Sequence, residues 1–184
     1  MKSLFSTLLF LMFFVNLSAQ NVDPANQERI ESFVRSHVYA QPETIDKDVT
    51  DKVFSGTFYN AKVKISYLPT ESQSFTDTGF NVHNDSVTKL KSCCSNQEFP
   101  TLLSLVKRDF LLKDENAAKQ FEAALDVLYP VDEEDLQYVK HLQEGSQWIF
   151  IRGTFFDNLQ AFVVTTDTDG TVTKISHNLE YAKK

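Results

Sequence analysis

Residues 148–157 read W-I-F-I-R-G-T-F-F-D, and the division of this stretch into two faces decides the fold. In an extended chain successive side chains point to opposite sides. Ile149, Ile151 and Phe155 then share one side, and Trp148, Phe150, Arg152, Thr154 and Phe156 share the other. The stretch F-S-G-T-F-Y-N at 54–60 repeats its centre. Phe54 and Phe58 match Ile151 and Phe155, while Ser55, Thr57 and Tyr59 match Arg152, Thr154 and Phe156. A second echo follows in the same order: N-D-S-V-T-K-L at 84–90 and D-G-T-V-T-K-I at 169–175.

Each G-T-F stretch follows a helix candidate, so the pattern predicts an internal duplication in which each unit reads helix, then antiparallel strands. The units are residues 20–98 and 99–184, either separate or fused into one domain. The first helix is predicted over 24–38, with Asp23 as cap and Pro24 in the first turn. Ile30, Phe33, Val34 and His37 fall on one stripe of it. The second helix is predicted over 115–128, capped by Asp114 and stopped by Pro130. Its stripe is Ala117, Ala118, Phe121, Ala124, Leu125 and Leu128. Between Phe99 and Lys113 a short helix followed by a strand is expected.

Strands are predicted at 61–67, where Ala61, Val63, Ile65 and Tyr67 alternate with Lys62, Lys64 and Ser66, and at 148–156, 159–166 and 171–179. Asp157-Asn158 and Asp167-Thr168-Asp169-Gly170 read as the turns between the last three. D-x-D-G also hints at calcium, but the loop lacks the third acidic ligand and the closing Glu of a calcium loop. V-T-K-[LI] spaces its apolar residues by three, which predicts a bulge. The fold class is therefore α+β, an antiparallel sheet packed on helices.

Phe54, Phe58, Ile151 and Phe155 are expected to pack on the helices, leaving the other face open to water. That second face, with Tyr59, Trp148, Phe150, Arg152 and Phe156, has the composition of a recognition surface. The alternative is a sheet that bends so that this face becomes a second core, or that is covered by residues 70–81.

The order A-x-x-F-x-x-x-L-x-x-x-Y-P, which lies within Ala117 to Pro130 and ends at Pro130, then strands, then D-G-x-V-x-x-I resembles the PepSY-like domains of exported bacterial proteins. Two such units in tandem resemble the beta-lactamase-inhibitor-protein arrangement, which implies a concave sheet that grips a protein partner. The first unit departs from the pattern, because Tyr39-Ala40-Gln41-Pro42 is a loose echo of L-Y-P and the loop over 70–81 is longer. Cystatin-like and nuclear-transport-factor-like folds also wrap a bent antiparallel sheet around a helix, and they stay open.

The N-terminus carries Lys2, an apolar run from Leu4 to Val15, and a small residue, Ala19, before Gln20. A membrane span needs about 20 apolar residues, so residues 1–19 read as a signal peptide cut after Ala19. Export to the periplasm or the outside is expected, with no membrane span. The formal net charge is -7, and no basic stripe is present, which excludes a phosphate-binding, nucleic-acid-type surface.

Cys93 and Cys94 are adjacent. A bridge between neighbours closes a small strained ring and staples no loop, so free thiols, a vicinal or intermolecular disulfide, and a redox or metal role are the three readings. His37, His83, His141 and His177 are scattered without ligand spacing, and no metal or cofactor is expected. The acidic run 132–135 reads as a solvated loop, a docking patch for a basic partner, or a source of enzymatic carboxylates. No nucleophile elbow, zinc-protease, phosphate-loop or dinucleotide motif occurs. The reading is a non-enzymatic exported binding module whose partner is an envelope or extracellular protein. A small-ligand carrier with an apolar pocket is the alternative, and a closed cavity of about 300 Å³ or more beside the helix would favour it. A histidine beside Asp or Glu in a cleft would favour an enzyme.

Overall fold

A computed structural model describes residues 23–34, 42–64, 75–91, 96–131, 138–153 and 160–181. In chain order these form α1 (Pro24–Val34), β1 (Glu43–Thr44), α2 (Lys47–Thr50), β2 (Thr57–Lys64), β3 (Phe75–His83), β4 (Ser86–Lys89), β5 (Gln97–Glu98), α3 (Pro100–Leu105), α4 (Glu115–Leu128), β6 (Tyr138–Glu144), β7 (Gln147–Gly153), β8 (Gln160–Thr166) and β9 (Val172–His177). The first sheet has the order β1-β2-β3-β4 and the second β5-β9-β8-β7-β6. Every pairing is antiparallel, which makes the chain an α+β protein with antiparallel sheets packed on helices.

The helices start where their caps predict. Asp23 Oδ1 accepts from Ala25 N at 3.0 Å, and Asp114 Oδ1 accepts from Ala117 N at 2.8 Å. All six stripe residues of α4 are buried. On α1, Ile30 is buried, but Phe33 is 50% exposed and drops out of the expected stripe; His37 lies outside the described residues. The expected strand before Lys113 does not form. After α3, Val106 bridges Phe54, whereas Leu111 bridges Thr171. The two ends of this segment pair with different halves of the protein, so no single ladder can propagate along it. Instead it ties the halves together, with Ser55 N donating to Leu105 O and Leu112 N to Gly170 O.

The two echoed V-T-K steps solve their three-residue spacing differently. In β9 the register slips between Thr165 and Thr166, a bulge that puts Val172 and Ile175 on the same face. In β4 the ladder is regular. Val87 therefore faces the cluster under α1, and Leu90 faces the main core on the other side. Both solutions work because both faces of the first sheet are covered.

Close approach to β3 explains the glycine of the first G-T-F. Gly56 has φ +87, and a Cβ there would sit 2.8 Å from Asn81 Nδ2 and Val82 O. Gly153 of the second G-T-F also has positive φ, 112. Their settings nonetheless differ: Gly56 precedes β2, and Gly153 ends β7.

One apolar cluster spans both halves. Phe58 meets Phe54 edge-on at 5.8 Å, Phe54 meets Phe121 of α4 at 5.7 Å, and Phe121 stacks on Phe150 of β7 at 5.4 Å. Tyr59, Ala61, Val63, Phe80 and Val82 form a second cluster with Ile30 of α1. Ile149, Ile151, Ala161 and Val163 form a third on the side of the second sheet away from α4.

Odd and even residues of the ribbons thus part as alternation requires, and Phe54 and Phe58 pack on α4 as expected, but the face expected to be open is buried in both halves, as the alternative has it. Trp148, Phe150 and Arg152 lie under α4 and are 4%, 1% and 2% exposed. Tyr59 is 2% exposed, and its hydroxyl accepts from Asn26 Nδ2 at 2.7 Å. Phe156 and Phe155 lie outside the described residues. The physical reason is what α4 offers: Phe121 stacks on Phe150, and Asp126 and the Tyr129 carbonyl accept from Arg152, while Ile149 and Ile151 pack with Ala161 and Val163 on the far side.

Phe121→Ala should therefore cost about 3–5 kcal/mol, whereas Phe33→Ala should stay within about 0.5 kcal/mol. Urea unfolding of the two variants measures both.

Candidate functional site

Arg152 is the most heavily bonded side chain of the predicted site. The last carbonyls of a helix lack intrahelical donors and carry the negative end of its dipole. Arg152 serves this end of α4: Nη2 donates to Leu125 O at 2.9 Å, which also accepts the Tyr129 amide at 2.8 Å, and to Tyr129 O, and Nη1 donates to Asp126 Oδ1. Gln160 Oε1 accepts from Nε at 3.0 Å and from Nη2 at 2.9 Å. The guanidinium also sits 5.9 Å from the centre of the Phe162 ring. This cation is a cap for α4, which corrects its expected role at an open recognition face.

At the other end of α4, His141 of β6 stands between two carboxylates. Nδ1 lies 3.0 Å from Glu122 Oε2, and Nε2 lies 3.0 Å from Glu115 Oε1. The imidazole is packed on Phe150 and Trp148, with ring centres 5.9 and 6.3 Å away. Burial lowers its pKa, but the hydrogen bonds and charges of Glu115 and Glu122 outweigh that, and the net is a pKa above the ordinary histidine value. In turn, the hydrogen bond from His141 holds the Glu115 carboxyl below its ordinary range. Beneath the ring, Trp148 Nε1 is buried and has no hydrogen-bond partner among the described residues.

A histidine beside two carboxylates is the feature that was to favour an enzyme. Here both ring nitrogens are engaged, and the group lines none of the clefts described below. His83 meets Asn84 Nδ2 at 3.0 Å, and His177 is buried against Phe162. Among the described residues no group of three or more His, Cys, Asp or Glu side chains is placed to hold a metal. Asp167 spends Oδ1 on the amides of Asp169 and Thr171, closing the hairpin turn that D-T-D-G predicts. Cys93, Cys94 and 132–135 lie outside the described residues. No helix among the described residues is long and apolar enough to cross a membrane.

The accessible concave surface lies elsewhere. A half-open cleft of about 380 Å³ runs between the first sheet and the C-terminal end of α4, past Ile45, Asn60, Asp77, Leu90, Leu128 and Gln160. A neighbouring cleft of about 510 Å³ is walled by Phe99, Pro100, Thr101 and Leu102. Both share Lys89, Leu90, Lys91 and Tyr129. Leu90 is held inward by its amide, which donates to Gly79 O at 2.8 Å, and by contact over Gly79. Strand alternation thereby turns Lys89 and Lys91 outward as exposed neighbours. Lys91 Nζ donates to Glu98 O at 3.3 Å, linking the edge of the first sheet to β5 of the second. None of these residues was singled out as a site from the sequence; the signal was K-L-K at the end of the echoed V-T-K-L.

Comparison with known proteins finds no family model that matches the chain, no curated protein that matches it and no solved structure that matches it.

Arg152→Met should destabilise the protein by about 1–3 kcal/mol, because the helix-end acceptors that the guanidinium serves lose that donor. Arg152→Lys should recover less than half, since one ammonium cannot span the same acceptors. Asp126→Asn should cost about 1 kcal/mol or less, because Asp126 is 46% exposed. Chemical denaturation of the three variants gives the ranking.

Proposed function

We propose that the chain is an exported, non-enzymatic recognition module that grips an extended, apolar and acidic segment of an envelope or extracellular protein. The grip is the double cleft on either side of Leu90. The observation that carries this reading is the pair of exposed lysines, Lys89 and Lys91, bracketing a buried leucine at the seam of the two sheets. In a chain of net charge -7, this pair stands beside apolar walls from Phe99, Leu102 and Tyr129. Apolar walls supply affinity, and the lysines supply orientation and steering toward carboxylates. Export rests on Lys2, the run from Leu4 to Val15 and the small residue Ala19. The order helix, then antiparallel strands, shared by both halves, is what the resemblance to tandem PepSY-like units implies.

A second reading, a small-ligand carrier, is favoured by the 510 Å³ of the Phe99–Leu102 cleft, a volume within the usual range for small molecules. The half-open shape of both clefts and the filled aromatic core weigh toward the first reading.

The experiment compares three probes by fluorescence anisotropy: a peptide of alternating Leu and Asp, its Leu and Lys counterpart, and a long-chain fatty acid. The acidic peptide should bind and weaken with salt, and Lys89→Glu with Lys91→Glu should reduce its affinity about tenfold or more. Equal binding of both peptides, or no loss in the double variant, contradicts the proposal. Saturable binding of the fatty acid alone selects the carrier.

A further inference from the structure

We propose that His141, Glu115 and Glu122 form a pH-operated latch that holds the edge strand β6 on α4 while the imidazole is doubly protonated and frees it when one proton leaves. This inference is independent of the cleft.

The geometry demands two donors. Each ring nitrogen lies 3.0 Å from a carboxylate oxygen, and a carboxylate only accepts. A neutral imidazole has one N–H, so one of the two contacts would then set a lone pair against a charged oxygen. The helix fixes the spacing, because Glu115 and Glu122 lie seven residues apart on one face of α4. β6 pairs with β7 along Tyr138–Glu144 and with no other strand among the described residues. It therefore has ladder bonds on one edge only, and its fastening to the helix has few competitors.

The surrounding charges leave His141 as the group that titrates the contact. From α4, Glu122 is 16% exposed and Glu115 is 63% exposed, with Lys119 Nζ 3.5 Å from the latter. Asp126, one turn on, is engaged by Arg152. From β7, Phe150 is directly opposite and Trp148 is its neighbour on the same face; neither titrates. On β6 itself Lys140 and Glu144 are exposed, and Gln143, opposite Trp148, is neutral.

The direction follows from linkage. The folded pKa of His141 is raised, so its contribution is fully present below the unfolded histidine value and is lost as pH rises through the folded one. Glu115 is depressed, so its share is present above its unfolded value and is lost as pH falls through the folded one. The latch is closed between these limits and opens on the alkaline side. Opening would give water access to the Trp148 N–H, which is without a partner among the described residues, and so removes one penalty of the closed state.

The test is an NMR pH titration of the full chain with amide exchange read strand by strand. His141 should titrate above 6.5, its ordinary value. As it does, the protection of β6 relative to β8 should fall severalfold after correction for intrinsic exchange. Glu122→Gln should lower the midpoint, and His141→Gln should abolish the step. A wild-type midpoint at or below 6.5, or β6 and β8 losing protection in parallel, refutes the latch. Those deciding readings come from the unmodified protein, so a misfolded variant does not shield the idea.

Discussion

The structure depends on α4 being fastened to the second sheet through a buried aromatic stack with charge at both ends. Phe121 lies on Phe150, and the same ring touches Phe54 from the first half. Apolar contact alone would let a helix slide or roll on a pleated surface. Two side chains of the sheet prevent this: His141 stands between Glu115 and Glu122 near the start of α4, and Arg152 takes Asp126 and the terminal carbonyls near its end. All three carboxylates belong to one helix, and each meets a nitrogen of the sheet. A buried arginine is expensive to desolvate, and its stabilising effect comes from the number of acceptors it satisfies at once.

This fastening explains why an aromatic strand face is a core face here. Composition alone favours two opposite outcomes for Trp148, Phe150 and Arg152. Rings and arginine mark recognition surfaces, and they also mark the deepest contacts of a mixed core. What decides is a partner residue 26 positions away, Asp126, and the carbonyls of Leu125 and Tyr129 at the end of α4. Such long-range complementarity has no local signature in the sequence.

Where one period dominates, the sequence was legible. Asp114, the six-residue stripe and Pro130 mark α4 to the residue. Asp-Gly at 169–170 marks the final hairpin, and the three-residue spacing of Val172 and Ile175 marks its bulge. The two faces of β7 separated by parity as expected, yet both were buried, and alternation cannot say which face a helix will cover. β3 and β6 were missed because their faces alternate weakly: T-D-T-G-F-N and K-H-L-Q-E mix polar and apolar residues on both sides. Polar positions such as Asn81, whose Nδ2 donates to Ser55 O, and His141 are bonded to distant groups, so they read as loop when taken locally. The candidate cleft was hidden for a related reason. Lys89 and Lys91 look like solvated charge until Leu90, Phe99 and Tyr129 are brought beside them.

The most direct measurement is the accessibility of the single tryptophan, Trp148, in the native protein. If the ring-bearing face of β7 is sealed under α4, its emission is blue-shifted and resists acrylamide until the protein unfolds. Native emission resembling free tryptophan, quenched as readily as in denaturant, would contradict the arrangement of α4 on the second sheet.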